Sequence, residues 1–257
     1  MTEIKVKSTI DETLQPSLFF KANGANRPLL VGLHTWSFDR FNQTDNLLPL
    51  IQNEDWNLLL PEFRGSNTQD NPNAPIACGS VYAKQDIVDA VNYVKENYSI
   101  DSQNIFLLGA SGGGHMALLT AAYAPAMWKA VDVWVPITNL ADWYYQCLKN
   151  KIKYSLNLEA CCGGAPNDST ISEYAYRSPI THMREIAKGN IRINHGKNDP
   201  IVPFTHSLNL YKEIINLDSD AKVYLNIFDG GHEMDVSYAA EWFKSRSSLA
   251  KGKQVTG

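Results

Sequence analysis

The sequence predicts an α/β fold in which a mostly parallel sheet of about eight strands carries helices on both faces. Short apolar runs alternate with segments whose apolar residues recur at helical spacing, the pattern that builds a parallel sheet. The apolar runs are nearly continuous, as expected for strands that are buried on both faces. One of them leads into a glycine-rich turn and then a helical pattern, which predicts a strand–turn–helix unit in the middle of the chain.

The two strands predicted nearest the N-terminus have the features of edge strands. Residues 4–9 alternate apolar and polar side chains, and residues 14–21 contain Pro16, which cannot donate to a strand ladder. The other predicted strands are residues 28–33, 56–60, 105–108, 130–135, 190–194 and 222–228.

Helices are predicted between these strands from apolar residues that fall on one helical face. They cover residues 46–52, 84–98, 208–217 and 236–243, and a further helix follows the central turn with Met116, Leu119, Thr120 and Tyr123 on one face. No repeat or linker divides the chain, so we expect a single domain over residues 1–257. Residues 247–257 are expected to be a frayed tail.

One long segment, residues 138–177, interrupts the alternation of strands and helices. It has no clean strand pattern and is rich in aromatic residues. Long insertions between core strands are often lids or binding loops. We therefore expect a lid-like insertion that covers the site and sets substrate size, with Trp143 and Tyr144 in contact with substrate. The alternative, equally weighted, is that these two aromatic side chains only pack on the core.

Composition excludes several classes of partner. Apolar residues make up 44% of the chain and charged residues 19%, which is ordinary for a soluble globular protein. The net charge of −4 gives no basic footprint, so we expect no nucleic-acid partner. No apolar run is long enough for a membrane span, and the N-terminus lacks the apolar core of a signal peptide. A cytoplasmic protein is the default expectation, although a secreted one with its signal removed would have the same features.

The four cysteines, Cys78, Cys147, Cys161 and Cys162, form no C-x-x-C motif. This spacing argues against a zinc or redox site, so we expect free buried thiols. His232-Glu233 resembles the start of the zinc motif H-E-x-x-H, but position 236 is Val. We expect neither a metal nor a cofactor.

The central turn, Gly109-Ala110-Ser111-Gly112-Gly113, is a G-x-S-x-G motif. Between a strand and a helix this motif forms a nucleophile elbow, where small neighbours let the chain turn sharply and expose the serine hydroxyl. The alternative is a phosphate-binding loop, which needs a following Lys-Ser or Lys-Thr or a G-x-G-x-x-G, and both are absent. Ser111 is therefore the candidate nucleophile.

A serine hydroxyl needs a base to take its proton, and that base needs an acid to orient it. With this elbow the chain order is serine, acid, histidine, each on a loop after a strand. His232 follows the last predicted strand and Asp199 follows the one before, so they are the candidates. Asp229 and Asp235 are rival acids, and Asp199 could instead only form a turn before Pro200. His34 and His195 lie at strand ends, where they could hydrogen-bond loops.

Two backbone N–H groups should bind the negative oxygen of the intermediate. Gly112 directly follows the nucleophile and provides the first. The second should come from the loop after the third strand, where we select Trp36 in "HTWSFD". A side-chain donor from the same loop is the alternative.

Five stretches together resemble the α/β-hydrolase superfamily, and more narrowly the catalytic domain of the prolyl oligopeptidase family. They are "PEFRGSN", "GASGGGHMAL", "YRSPITHM", "NHGKNDPIVPFTHS" and "GGHEMD", within residues 61–235. The resemblance implies Ser111 as nucleophile, Asp199 as acid and His232 as base. One departure is His34-Thr35, where the family has His-Gly after the third strand.

The family's peptidases also carry a large β-propeller, for which we expect no room in this chain. Propeller-less relatives include esterases and carbohydrate deacetylases. We therefore expect an esterase that acts on a small-molecule or carbohydrate ester, such as a short acyl or sugar acetyl ester. The alternative is a peptidase for short peptides. A non-enzymatic binding module on the same fold is a third reading, and the complete set of candidate triad residues argues against it.

Overall fold

The computed structural model describes residues 1–247, whose centre is an eight-stranded sheet in the order β1-β2-β4-β3-β5-β6-β7-β8. β3 to β8 run parallel to one another, while β1 and β2 are antiparallel to their neighbours. The strands are β1 Thr2–Lys7, β2 Leu14–Phe20, β3 Arg27–Leu33, β4 Asn57–Pro61, β5 Ile100–Ala110, β6 Ala130–Trp134, β7 Ile191–Gly196 and β8 Val223–Phe228. This confirms the predicted α/β architecture. All but the first residue of the tail predicted to fray lie outside the described residues.

The predicted helices are present, mostly longer than their apolar patterns suggested, because polar residues extend their ends. The helices are α1 Thr44–Glu54, α2 Val81–Asn97, α3 Gly112–Tyr123, α4 Leu140–Lys149, α5 Tyr154–Cys162, α6 Ile171–Tyr176, α7 Met183–Ile186, α8 Thr205–Leu217 and α9 Val236–Arg246. Within residues 1–247, none of them has the length and apolar character needed to cross a membrane.

The sheet separates two apolar cores, and adjacent residues of each strand point to opposite ones. In β3, Leu29 and Val31 face a core formed with α2, α3 and α8, whereas Leu30 faces a core formed with α1 and α9. All three side chains are fully buried. Helices on both faces explain why the central strands are continuous apolar runs rather than alternating ones.

β2 was predicted as an edge strand because it contains Pro16, and this prediction is wrong. β2 lies between β1 and β4 and pairs with both. The ladder with β4 ends at Ser17, so the missing N–H of Pro16 falls just beyond it. The Pro16 carbonyl still accepts the N–H of Glu62. Because Pro16 has no N–H to donate to the Glu62 carbonyl, that oxygen lies instead 2.8 Å from Nε2 of His34. A histidine thus replaces the ladder bond that proline removes.

The long insertion contains α4, α5 and α6, and its apolar side chains form a third core with the loop after β3. Trp36 of that loop belongs to this core, together with Trp143 and Tyr144 of α4. The helices of the insertion therefore pack on the loop after β3, and its role as a lid that sets substrate size stays a prediction.

A buried charged network joins the middle of β6 to the beginning of β7. Arg192 makes two 2.8 Å hydrogen bonds to Asp132, whose carboxylate also accepts from Trp134 Nε1 and Asn194 Nδ2. Asp132 is fully buried and Arg192 is 7% exposed. Burial raises the pKa of Asp132, against the opposing effect of these hydrogen bonds. The protein therefore tolerates the buried Asp132 carboxylate only because these partners offset the cost of burying its charge.

We expect Arg192→Met to lower the free energy of unfolding by about 3–5 kcal/mol, because it leaves the Asp132 carboxylate buried without its cation. Urea unfolding followed by circular dichroism measures the loss. The double variant Asp132→Leu/Arg192→Met removes both charges and should recover most of the stability. A single variant as stable as wild type would contradict the importance of this pair.

Candidate active site

Ser111 lies on a sharp turn between β5 and α3. Its φ is 55° and its ψ is −120°, a left-handed backbone conformation that costs free energy for any residue except glycine. Two backbone hydrogen bonds hold the turn: the Ser111 N–H donates to Trp134 O at 2.8 Å, and the His115 N–H donates to Ser111 O at 2.9 Å. This is the strained strand-to-helix geometry expected of a nucleophile elbow.

The two glycines of the G-x-S-x-G motif are required by backbone contacts. A Cβ added to Gly109 would lie 2.2 Å from the carbonyl oxygen of Gly113, and one added to Gly113 would lie 2.7 Å from the carbonyl oxygen of Leu33. Backbone atoms cannot move away as a side chain can. Any larger residue at either position would therefore push α3 away from β5 or β3.

Gly112 and Trp36, the two predicted oxyanion donors, are next to each other. A Cβ on Gly112 would lie 2.6 Å from the Trp36 backbone nitrogen. The Trp36 carbonyl accepts the Asn67 N–H at 2.8 Å, which fixes the loop. No hydrogen bond within residues 1–247 uses the Trp36 N–H. The Gly112 N–H at the N-terminus of α3 and the adjacent Trp36 N–H suit a developing negative charge, and their role as oxyanion donors stays a prediction.

Asp199, on the loop after β7, has a completely buried carboxylate. Its Oδ1 accepts the backbone N–H groups of Ile201 and Val202 at 2.8 and 2.9 Å. Its Oδ2 is 2.6 Å from His232 Nδ1 and 3.3 Å from His195 Nε2. Burial by itself raises the pKa of Asp199, but the hydrogen bonds from His195, His232 and Val202 outweigh it and hold the pKa well below its usual range. The carboxylate is therefore ionised at neutral pH.

The structure brings His232 to Asp199 and to neither rival acid. Asp229 accepts from Asn198 and pairs with Lys197 at 3.3 Å, and Asp235 caps α9 by accepting the Tyr238 N–H. With Nδ1 donating to Asp199, the imidazole leaves Nε2 for another proton, which is the tautomer a general base needs. The His232 side chain is 17% exposed, so solvent and substrate can reach it.

Ser111 and His232 are not hydrogen-bonded to each other. Within residues 1–247, neither Ser111 Oγ nor His232 Nε2 makes a hydrogen bond. Catalytic hydrogen bonds are often long before substrate binds and shorten in the reactive complex. The elbow and the Asp199–His232 pair are each formed, and a hydrogen bond between Ser111 and His232 stays a prediction.

His195 supports the acid loop, a role that its position at a strand end suggested. It is fully buried, with Nδ1 2.7 Å from Ser207 Oγ and Nε2 2.8 Å from Val202 O. The ring therefore joins β7, the Asp199 loop and α8. The contact between Ser207 and His195 was not predicted, because a serine in a helical segment gives no indication of a partner twelve residues earlier in the chain. His34 likewise contacts the backbone of two loops, with Nδ1 3.0 Å from Thr35 O in its own loop and Nε2 2.8 Å from Glu62 O in the loop after β4.

Trp143 and Tyr144, predicted to contact substrate, are 1% and 5% exposed. Trp143 packs edge-on against Trp36 at 4.8 Å between ring centroids, stacks on Tyr154 at 5.2 Å, and donates from Nε1 to Ile201 O at 3.2 Å. It therefore links the insertion to both the Trp36 loop and the Asp199 loop. Tyr144 instead points to Glu159, to which its hydroxyl donates at 2.7 Å. Tyr154, which is half-buried, was missed as a neighbour of Trp36.

All four cysteines are free and buried, as predicted. Burial raises the pKa of the Cys147 thiol to about 12, so this thiol is protonated and unreactive at neutral pH.

We expect Asp199→Asn to lower ester turnover by roughly 10⁴-fold, because an amide cannot hold His232 in the productive tautomer or stabilise its protonated form. The Asn oxygen can still accept the Ile201 and Val202 N–H groups, so the loop should keep its shape. Asp229→Asn is the matched control and should retain wild-type turnover. An Asp199→Asn enzyme within tenfold of wild type would overturn the assignment.

The same variant tests the depressed pKa of Asp199. A carboxyl whose pKa is lower in the folded state stabilises the protein above its unfolded pKa of about 3.9, and this stabilisation is lost as pH falls toward the folded pKa. The difference in unfolding free energy between wild type and Asp199→Asn should therefore shrink as the pH falls below about 4. A difference independent of pH down to strong acid would contradict the depressed pKa.

Comparison with known proteins gives matches over most of the chain. A model of the prolyl oligopeptidase family matches residues 48–251. Acylamino-acid-releasing enzyme 1 of Oryza sativa subsp. japonica is 20% identical over 213 residues, covering 78% of this chain and 27% of that protein. Inactive dipeptidyl peptidase 10 of Mus musculus is 28% identical over 159 residues, covering 62% of this chain and 18% of that protein. The chain thus spans less than a third of the length of either relative.

Among solved structures, an esterase of Pyrococcus furiosus superposes with a TM-score of 0.72 at 16% identity, covering 97% of this chain and 90% of that one. At this identity the likeness shows the fold, which is the α/β-hydrolase fold. The family model covers the elbow, the Asp199 loop and the His232 loop in a single match. The chain therefore belongs to the prolyl oligopeptidase family.

Proposed function

We propose that the protein is a serine hydrolase that cleaves short-chain carboxylic esters through an acyl-enzyme on Ser111. The observation that carries this proposal is the 2.6 Å contact between His232 Nδ1 and the ionised Asp199, on loops at the same end of the sheet as the strained Ser111 turn. An oriented imidazole and an accessible serine hydroxyl are the two parts that acyl transfer needs first, and Ser111 is only partly buried.

In the proposed reaction, His232 Nε2 takes the proton of Ser111 Oγ as the oxygen attacks the ester carbonyl carbon. The carbonyl oxygen becomes negative and is bound by the N–H groups of Gly112 and Trp36. The intermediate collapses, the ester C–O bond breaks, and the protonated His232 gives its proton to the departing alcohol. Water then attacks the acyl-enzyme by the same route, with His232 as base, and releases the acid.

An ester is favoured over an amide because of the leaving group. An alkoxide leaves with little assistance, whereas an amine must be protonated while the chain on both sides is held in register. The parts described above supply the nucleophile, the base and the oxyanion donors. These parts are sufficient for an ester, whereas an amide also needs residues that hold an extended peptide in register.

Short acyl groups are favoured by the rings beside the Trp36 loop. Trp36, Trp143 and Tyr154 form a cluster with centroid separations of 4.8 to 6.3 Å. The Trp36 backbone nitrogen adjoins Gly112, so the Trp36 ring belongs to the same residue as the second proposed oxyanion donor. Trp143 and Tyr154 pack against that ring. We propose that they close the acyl side of the site and leave space only for small groups.

A polar cavity lined partly by the residues that follow Trp36 suits a hydroxyl-rich alcohol such as a sugar. Its volume is about 410 Å³ and its lining includes hydroxyl and carboxylate groups and one exposed ring: Ser37, Phe38, Asp39, Ser66, Thr68 and Asp70. Phe38 is 56% exposed, so its face is available for stacking on a sugar ring. Polar groups around one aromatic platform provide both hydrogen bonds and apolar contact to such an alcohol.

The alternative is a peptidase, which the family and the acylamino-acid-releasing relative favour. The two candidate functions differ in the bond that is broken and not in the nucleophile. A third possibility, an inactive member, is represented by the dipeptidyl peptidase relative named as inactive. Matched substrates and a nucleophile variant separate the three.

We expect kcat/KM to be much higher on p-nitrophenyl acetate and acetylated glucose than on acetyl- or aminoacyl-p-nitroanilides, because the amide needs the additional assistance described above. Ser111→Ala should lower ester turnover by at least roughly 10³-fold. Equal or greater efficiency on the anilides would replace the esterase by the peptidase. Ester turnover that survives in Ser111→Ala would overturn the nucleophile assignment.

We expect Trp143→Ala to raise the rate on p-nitrophenyl octanoate relative to acetate, because it removes a ring beside the proposed acyl site. It should also cost about 3–5 kcal/mol of stability, as for other buried tryptophans. Tyr144→Ala is the matched control: it is a buried aromatic of the same helix whose ring faces Tyr145 and Tyr174 rather than Trp36. If both variants lose stability without changing the octanoate-to-acetate ratio, the aromatic cluster is only structural.

A further inference from the structure

Lys84 of α2 is buried at one wall of a small cavity away from the candidate active site. The residue is 4% exposed. The cavity, of about 230 Å³, lies between α2, α3 and the end of the insertion and is lined by Lys84, Leu119, Ala122, Tyr123, Tyr176 and His182. Both tyrosines are 41% exposed, so the cavity lies at the protein surface.

The Lys84 ammonium has no carboxylate partner within residues 1–247. Its Nζ is 3.2 Å from the Tyr176 hydroxyl and lies 4.2 Å from the Tyr176 ring centroid and 5.6 Å from that of Tyr123. An ammonium has three N–H donors. One is used by Tyr176, and no other described residue accepts the remaining two. Fully buried lysines are rare unless they are paired.

The groups around this ammonium add positive rather than negative charge. Burial, and then the nearby Arg177, lower the pKa of Lys84 to about 8. Glu173 is already paired with Arg177 at 3.0 Å, and the Tyr123 hydroxyl donates to Gln85 at 2.6 Å. The titratable and charged groups of the neighbouring elements are His115 and Tyr123 on α3, Glu173, Tyr176 and Arg177 at the end of the insertion, and His182 just after it.

We propose that this cavity binds a small oxyanion, such as a phosphate or a carboxylate, on the ammonium of Lys84 and the hydroxyl of Tyr176. An anion supplies the charge that the protein does not, and its oxygens accept the two remaining Lys84 N–H groups. A water molecule takes about 30 Å³ of liquid volume, so a cavity of about 230 Å³ has room for an anion of this size. The site is independent of the proposed ester hydrolysis.

A ligand here would contact three elements that meet behind the nucleophile. α3 begins directly after Ser111, and His115 of α3 is 2.7 Å from the carbonyl oxygen of Arg177 at the end of the insertion. Binding in the cavity therefore stabilises the packing of α2 and the insertion against α3, and it should appear as a rise in thermal stability.

The test is thermal unfolding at pH 7 with inorganic phosphate or sodium acetate, and with sodium chloride at the same ionic strength. We expect a saturable rise in Tm beyond the chloride effect for wild type and for Lys212→Met, which replaces an exposed lysine of α8. Lys84→Met keeps the length of the side chain and removes its charge, so it should fold and show no saturable rise. The same rise in Lys84→Met, or none in wild type with either anion, would overturn the site.

A second measurement follows the ammonium itself. In protein with 13C-labelled lysines, saturating phosphate should raise the pKa of Lys84, because an anion stabilises the charged form. The affinity should fall as pH rises through about 8, where the free ammonium loses its proton. Tyr176→Phe keeps the ring and removes the hydroxyl, and it should bind more weakly. A Lys84 pKa unchanged by phosphate would also overturn the proposal.

Discussion

The close approach of backbone to backbone at the Ser111 turn is the constraint on which the rest of the site depends. Gly109 contacts Gly113, Gly113 contacts the end of β3, and Gly112 contacts Trp36. These contacts hold Ser111 in a left-handed conformation and set α3 against the sheet. They also fix the Trp36 loop, and through the Trp36 ring the aromatic core of the insertion. The proposed nucleophile, the proposed oxyanion donors and the aromatic rings beside the Trp36 loop therefore all depend on these backbone contacts.

Much of this arrangement could be predicted from sequence, because the signals are local. Continuous apolar runs identified the buried strands, and G-x-S-x-G in a strand–turn–helix context identified the elbow. Chain order alone selected Asp199 and His232, and the structure places these two side chains in contact. Asp199 was separable from Asp229 and Asp235 because it follows a different strand, and in parallel sheets the strand ends meet at one edge.

The features that could not be predicted depend on contacts between residues far apart in sequence, which no local pattern encodes. Pro16 suggested an edge strand. An interior strand tolerates this proline because the ladder with β4 ends at Ser17 and because His34 contacts the Glu62 carbonyl. Trp143 and Tyr144 are adjacent in sequence, yet one faces Trp36 and the other faces Glu159, because neighbouring helical residues diverge. That no acidic side chain among residues 1–247 pairs with Lys84 likewise becomes visible only when its surroundings are assembled.

Covalent labelling with a fluorophosphonate tests the nucleophile most directly, because the reagent reacts with a serine only where base and oxyanion donors activate it. Wild-type protein should gain the mass of one label, mapped by peptide mass spectrometry to the segment that contains Ser111. Ser111→Ala should gain none. Labelling at another residue, equal labelling of the variant, or no labelling of wild type would contradict the account of a serine hydrolase built on this turn.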